Sequence, residues 1–340
     1  MSWRSVAGCV LLQRHRPIPS PVKLTVLQLI WAIPYLMVAN YLERSLLPFR
    51  VLCYTQNDLL SSKPLRSEAS ECVHQFFPNR SPEPNCVLSS KPEILIRPKL
   101  PETPHRILFI RTGPKSVDYR NFIRETWKTQ VDVIAPAVFV CAMGSDNLTL
   151  EADQFGDILQ FAFDDSYHNL SMKMMAIYGF VLSELPSIHD IIVTNDDTIV
   201  NATALSEVLL SRRTGSWMIG KVSRGYPRLF MPWLPWHVSG EMYTNLCYPR
   251  FTQGSSFILS RNAAQVLIEN VCKTPFVHLD DILMGIIASC ARLEQLHHGG
   301  FDKHILADFV VYHYQYSRHS PRHLRQLWSS ISNHFQRSEK

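Results

Sequence analysis

From residue 105 onward, short apolar runs alternate with stretches of helical periodicity. Residues 107–110, 137–142 and 191–193 read as buried strands. Residues 119–127, 172–185, 204–210 and 262–271 read as helices. Parallel neighbours need a crossover connection, usually a helix, so strands that alternate with helices favour parallel pairing. The pattern predicts an α/β domain with a Rossmann-like, mostly parallel sheet and helices on both faces. A body of roughly 250 residues is long enough to bury one full core of this kind. Ligands of such sheets bind at the carboxyl ends of the strands. The residues that follow each apolar run are therefore the first place to look for chemistry. No internal repeat is present.

Ahead of this domain, residues 24–42 contain no charged side chain. A helix of that length nearly spans the ~30 Å hydrocarbon core. The net charge of the whole chain is +5. Residues 1–50 hold six bases (Arg4, Arg14, Arg16, Lys23, Arg44, Arg50) against Glu43, and so carry all of the excess. Residues 51–340 balance at zero, which argues against a nucleic-acid binder. Four of the bases precede the apolar run, so the positive-inside rule keeps the N-terminus cytoplasmic and translocates the body. The expected plan is a cytoplasmic tail at 1–23, a signal-anchor at 24–42, a Pro- and Ser-rich stem at 43–104, a catalytic domain at 105–330 and a C-terminal tail at 331–340. A cleaved signal peptide ending near Val38-Ala39 is the rival reading. A buried soluble helix is a third. Both leading readings put the body in the secretory pathway.

That compartment suits the other counts. Eight cysteines are widely spaced with no C-x-x-C pair, which fits free thiols or a few disulfides better than a zinc ribbon. Cys247, Cys272 and Cys290 are candidates for a bridge, with the pairing open. Asn147, Asn169 and Asn201 stand in N-glycosylation sequons, and Asn79 is a poorer one because Pro82 follows.

Thr194-Asn195-Asp196-Asp197-Thr198 follows the strand at 191–193. Adjacent carboxylates at a strand end suit a hard cation that shares its sphere with phosphate. They also suit a polar turn that caps a helix. Asp280-Asp281 precedes a helical run at 282–288, where carboxylates favour the helix dipole. His313 follows an expected strand at 307–312, with His319 as a competitor for any ligand role.

Six short motifs stand in order between residues 120 and 285. They are Arg120-x-x-Ile123-Arg124-x-Thr126-Trp127, Glu151-x-x-x-Phe155-Gly156-Asp157-Ile158, and Asp165-Ser166-Tyr167-x-Asn169-Leu170-Ser171-x-Lys173. Asn195-Asp196-Asp197, Tyr248-Pro249-x-Phe251-x-x-Gly254-x-x-Phe257-x-x-Ser260 and Asp280-Asp281-Ile282-x-x-Gly285 complete the set. Residues 105–330 with these motifs resemble the β1,3-galactosyltransferase family, which includes β1,3-N-acetylhexosaminyl transferases. The resemblance implies a type II Golgi membrane protein with a GT-A nucleotide-diphospho-sugar transferase fold. It further implies an inverting hexosyltransferase that uses Mn²⁺ and passes galactose from UDP-galactose to a glycan on a glycoprotein or glycolipid. UDP-N-acetylglucosamine is the alternative donor, and a catalytically silent lumenal relative is the alternative class.

The resemblance also implies roles. Asp197 is the direct metal ligand, with His313 as a second. Asp196 holds the metal through water or holds the ribose. Asn195 stands where the family has an acid, and Asp280 where it has a glutamate. Asp281 is the general base, taking the acceptor hydroxyl proton as that oxygen attacks the anomeric carbon. Arg120, Arg124 and Lys173 join Asn195 and Asp196 as donor-side candidates, although the arginines can equally pair with internal acids. Trp127 is expected in the core. Trp233, Trp236 and Glu241 form a candidate acceptor loop, because aromatic faces stack on sugar rings. His297-His298 reads as a turn. A glycoside hydrolase would need two carboxylates flanking the bond and no metal, and the ordered motifs speak against it.

Overall fold

The structure, a computed structural model, describes residues 52–53, 69–211, 213–224, 226–228, 236–314 and 317–338. The expected tail and anchor at 1–42 lie outside the described residues. Among the described residues no helix is long and apolar enough to cross a membrane.

The strands are β1 (Ile94–Ile96), β2 (Arg106–Arg111), β3 (Ala137–Met143), β4 (Ile158–Asp164), β5 (Asp190–Asn195), β6 (Thr198–Val200), β7 (Trp217–Ser223), β8 (Phe251–Ser260), β9 (Glu294–His297) and β10 (Val311–His313). The helices are α1 (Ala69–Phe76), α2 (Val117–Glu125), α3 (Lys128–Asp132), α4 (Thr149–Phe155), α5 (Leu170–Glu184), α6 (Ala202–Leu210), α7 (Arg261–Val271), α8 (Asp280–Cys290) and α9 (Pro321–Ser338). Eight strands form one sheet in the order β1-β4-β3-β2-β5-β8-β7-β9. β4, β3, β2 and β5 are mutually parallel, while β8 runs antiparallel to both β5 and β7. The parallel half follows the strand-helix alternation read from the sequence. The antiparallel half, with β7, β8 and β9, was not anticipated.

Side-chain alternation divides the core between the two faces of the sheet. Ile107 and Phe109 of β2 point to one face and pack in a cluster with Ile177 and Val181 of α5, Leu267 of α7 and Leu283 of α8. Leu108 and Ile110 point to the other, with Phe122 and Ile123 of α2, Trp127, Leu205 of α6 and Leu324 of α9. Each fully buried side chain of this size contributes about 1.5–3 kcal/mol. α5 is apolar around most of its circumference and is correspondingly buried, from Met174 through Tyr178 without a break. Trp127 is core, as expected, and its indole N–H donates to the carbonyl of Thr198 at 3.1 Å. Asn201 caps α6 and Ser260 caps α7, each accepting from a backbone N–H at 3.1 Å.

The described part of the expected stem is folded onto this body. β1 pairs antiparallel with β4. Disulfides join Cys53 to Cys247, Cys72 to Cys290 and Cys86 to Cys272. Each of the three C-terminal cysteines thus bridges to the N-terminal segment and none to another. The partners lie 186 to 218 residues away in sequence, so the local Pro- and Ser-rich composition of 43–104 carries no sign of them. Cys141 is left free and buried in β3, and burial pushes its thiol up to about 12. Toward the C-terminus, the expected strand at 307–312 narrows to β10, and α9 runs through Ser338 into the expected tail.

α8 lies against β8 without a side chain between them at Gly285. A Cβ there would sit 2.5 Å from Phe251 Cβ and 3.0 Å from the Arg250 carbonyl oxygen. Gly285→Ala is expected to destabilise the fold by about 1–3 kcal/mol in urea or thermal unfolding. Gly179→Ala in α5, where nothing lies within 4 Å, is expected to stabilise it by up to about 1 kcal/mol.

Candidate active site

A cleft of about 430 Å³ opens at the carboxyl ends of β2, β4 and β5. Arg111, Thr112 and Gly113 enter it from β2, Asp165, Ser166 and Tyr167 from β4, and Asn195, Asp196 and Asp197 from β5. Gly254 of β8, Asp280 and Asp281 of α8, and Trp236, Lys173 and Arg318 complete its wall.

The acidic turn is held from three sides. The backbone N–H of Asp196 donates to the carbonyl of Arg111 at 3.1 Å. The Asp196 carboxylate accepts from Thr112 Oγ1 at 2.8 Å and from Arg318 Nη2 at 2.6 Å. Burial raises its pKa, and the pull of Arg318 only partly offsets this. Asp197 precedes β6, and β6 pairs with β10 in a register that sets Thr198 opposite His313. This pairing brings His313 Nε2 within 3.7 Å of Asp197 Oδ1. His313 Nδ1 meets Asp302 Oδ1 at 2.6 Å. Ser255 Oγ at 2.8 Å and Lys221 Nζ at 3.2 Å hold Asp302 in turn. Burial disfavours the imidazolium, but the two carboxylates outweigh it and raise His313 to about 9. His319 is turned elsewhere: its ring stacks on Tyr314 at 4.5 Å and its Nε2 faces the Tyr312 hydroxyl. Of the two histidines, His313 faces the acidic turn.

These residues fit a divalent cation as part of its sphere. A carboxylate and an imidazole nitrogen converge, and Asp302 orients the histidine as carboxylates commonly orient metal-ligating histidines. Among the described residues no three His, Cys, Asp or Glu side chains form a complete metal site. A cation here would need further oxygen ligands, which is how Mg²⁺ and Mn²⁺ bind beside phosphates.

The second acidic pair begins α8. Asp280 is buried and accepts from Arg111 Nη1 at 2.5 Å. Arg111 Nη2 donates to Asn195 Oδ1 at 2.7 Å and to the carbonyl of Gly254. This network accounts for the amide at 195: one guanidinium is already neutralised by Asp280, and an amide oxygen accepts its second arm without adding another buried charge. Asp281 Oδ1 accepts from the Ile282 N–H at 2.8 Å and Oδ2 from the Gly254 N–H at 3.3 Å. Burial, reinforced by the charge of Asp280, raises Asp281 to about 7, against the pull of those two N–H groups and Arg111.

The other candidates divide by their distance from the cleft. Arg120 and Arg124 do not reach the cleft wall. Arg120 makes a two-pronged bond to Glu151 at 2.6 and 2.7 Å and also holds the carbonyls of Gly113 and Pro114. Arg124 pairs with Asp157 and Glu151. Their donors are spent on internal acids, and Arg120 acts on the cleft only through the loop it holds. Lys173 lies in the wall but is buried in a bond to Asp165 at 2.8 Å. Trp236 lines the cleft, Glu241 sits in an exposed turn away from it, and Trp233 lies outside the described residues. Of the sequons, Asn147 is exposed, while Asn169 and Asn201 are half-buried beside helix starts. The expected turn at His297-His298 is only partly found: His297 ends β9 and accepts from the Val222 N–H across the sheet, while His298 accepts locally from the Gly300 N–H.

Three cleft residues, Arg111, Tyr167 and Arg318, and Asp302 behind His313, carry no role in the sequence analysis. Arg111 ends an apolar strand and Tyr167 stands inside a motif, so both carried a signal. Asp302 and Arg318 lie in irregular segments and carried none.

Residues 118–298 match the family described as galactosyltransferase. The chain belongs to that family. A lactosylceramide 1,3-N-acetyl-β-D-glucosaminyltransferase of Xenopus tropicalis is 31% identical over 201 residues, covering 54% of this chain and 53% of the relative. The human β-1,3-galactosyltransferase 5 is 28% identical over 261 residues, covering 69% of this chain and 83% of that protein. The chain spans about half the length of the first of these relatives. A solved structure of the galactosyltransferase LgtC in complex with donor and acceptor sugar analogs aligns over 66% of the chain with a TM-score of 0.38 and 8% identity, too distant to bear on this site.

Within this member of the family, the first two sequence motifs are the two halves of one buried ion cluster, Arg120 and Arg124 against Glu151 and Asp157. Glu151 serves both arginines and is held below its usual pKa by them against the effect of burial. Glu151→Ala leaves both guanidiniums short of a partner and is expected to cost about 3–5 kcal/mol of stability, read from the unfolding midpoint.

Proposed function

We propose that this chain is an inverting GT-A glycosyltransferase that moves a hexose from a UDP-sugar to a glycan hydroxyl in β1,3 linkage. The carrying observation is Asp281. It is a carboxylate at a helix N-terminus, open on one side to the cleft, and poised near neutrality by burial and by Asp280. A base with that pKa accepts a proton from a hydroxyl most effectively near physiological pH. The acceptor hydroxyl gives its proton to Asp281 while its oxygen bonds to the anomeric carbon. The sugar–phosphate bond breaks on the opposite face, and UDP leaves with the electron pair. Arg111 keeps Asp280 paired, so that Asp281 alone faces the acceptor. Tyr167 and Trp236, 42% and 43% exposed in the same wall, offer faces on which sugar rings stack.

Asp197 and His313 would hold a divalent cation, with Mn²⁺ the choice for this donor set, and Asp196 and Asn195 would flank the nucleotide. When bound, such a cation neutralises charge on the departing diphosphate. Galactose is the first choice of donor, supported by the family match. N-acetylglucosamine is the second, supported by relatives named for that sugar. The uncharged run at 24–42 and the charges before it support a single-pass type II protein of the Golgi membrane, with this domain lumenal and acting on glycoproteins or glycolipids. The three disulfides suit that oxidising compartment.

Purified protein assayed with UDP-galactose and UDP-N-acetylglucosamine, with and without Mn²⁺, tests the reading. Asp281→Asn is expected to lower kcat by roughly 10²- to 10⁴-fold and leave UDP affinity unchanged. Asp197→Ala is expected to abolish Mn²⁺-supported transfer. Failure of the wild type to bind UDP under any of these conditions would sink the proposal. Because the raised pKa belongs to a base that must be unprotonated, kcat/KM is expected to rise with pH through about 7. A profile flat from pH 5.5 to 8.5 would remove Asp281 from that role.

A further inference from the structure

Arg318 lies between β10 and α9, and its guanidinium reaches back over the acidic turn. Nη2 bonds Asp196 Oδ1 at 2.6 Å. The guanidinium carbon stands 4.1 Å from the centroid of the Tyr119 ring. The Tyr119 hydroxyl donates to the carbonyl of His319 at 2.9 Å, which fastens the segment that carries Arg318. The arginine side chain is 49% exposed, whereas the Asp196 side chain is 6% exposed.

The charges of the cleft wall give this arginine a task. Five acids line it, namely Asp165, Asp196, Asp197, Asp280 and Asp281, against Arg111, Lys173 and Arg318. Arg111 is buried with Asp280, and Lys173 with Asp165. Three carboxylates remain against Arg318. A diphosphate that enters this wall meets net negative charge. Arg318 is the wall cation, among the described residues, whose own side chain is not buried, although it too is paired inward with Asp196. A guanidinium carries five N–H donors in a planar fork that matches phosphate oxygens, and one of them is used on Asp196.

Resting on the reading of the cleft as a nucleotide-sugar site, we infer that Arg318 binds the diphosphate of the donor, exchanging its bond to Asp196 for phosphate oxygens. Arrival of the diphosphate draws the guanidinium from the carboxylate to phosphate oxygens while the Tyr119 ring keeps its plane in place. This residue was not among the sequence candidates, and none of the family motifs contains it.

Calorimetric titration with UDP and with uridine, each with and without Mn²⁺, tests the inference on the wild type, Arg318→Ala and Arg318→Lys. Arg318→Ala is expected to weaken UDP binding by roughly 10- to 100-fold, the weight of one or two charge-assisted bonds. Uridine, which lacks phosphate, is expected to bind all three proteins equally. Arg318→Lys is expected to recover part of the loss. Unchanged unfolding midpoints show that the half-exposed side chain was removed without harm to the fold. Equal or tighter UDP binding by Arg318→Ala overturns the inference and makes the arginine a mere counter-charge or plug for Asp196. Equal loss of uridine and UDP also overturns it. A wild type that binds no UDP in any condition overturns the reading of the cleft itself, an outcome distinct from wild-type binding that the substitution leaves untouched.

Discussion

Arg111 ties together four elements that meet only at the cleft. It ends β2, pairs with Asp280 at the start of α8, donates to Asn195 at the end of β5, and donates to the carbonyl of Gly254 in β8. A buried guanidinium is tolerable only when its arms are matched, and each match here belongs to a different element. Arg111 thus touches both acidic segments, Asp280 through its side chain and Asp196 through its backbone carbonyl. Asp281 is raised in pKa by burial and by the charge of Asp280 beside it, and Arg111 only partly offsets this. Gly285 permits this arrangement, since only a bare Cα lets α8 come close enough to β8.

Around that centre the fold repeats one device, in which an exposed-looking charge is spent inside the molecule to place a loop. Arg120 and Arg124 hold Glu151 and Asp157, and Arg120 also grips the loop at Gly113 and Pro114. Lys173 holds Asp165 together with the carbonyl of Thr112. Asp302 holds His313. The charges left in the open part of the cleft wall are few, and they are the ones assigned chemistry here. A zero net charge over residues 51–340 fits this picture, since a diphosphate needs local cations rather than a basic domain.

Much of the parallel half of the sheet was legible, because buried parallel strands announce themselves as short apolar runs between helical stretches. The runs at 107–110, 137–142 and 191–193 each became a strand at nearly those bounds. β8 was hidden, because its polar residues Thr252, Gln253, Ser255 and Ser256 break the apolar run on which a strand is recognised. The order of the cysteines said nothing of their pairing, and the composition of 43–104 concealed a helix and a strand whose partners lie far along the chain. The motifs located the acidic residues but could not separate the arginines that brace the loop from the arginine that lines the cleft.

By itself the sequence determined the α/β character of the domain, the family, the acidic pairs after β5 and at the start of α8, and the charge asymmetry around residues 24–42. Those are properties of composition, periodicity and local order, which do not depend on what packs where. Only the tertiary structure decided that His313 rather than His319 meets Asp197, that Asn195 answers Arg111, and that Arg318 rather than Arg120 or Arg124 stands in the cleft. The physical reason is common to all three. A polar or charged side chain is defined by its nearest partner and its distance from water, and in these three cases the partners lie 84 to 122 residues away.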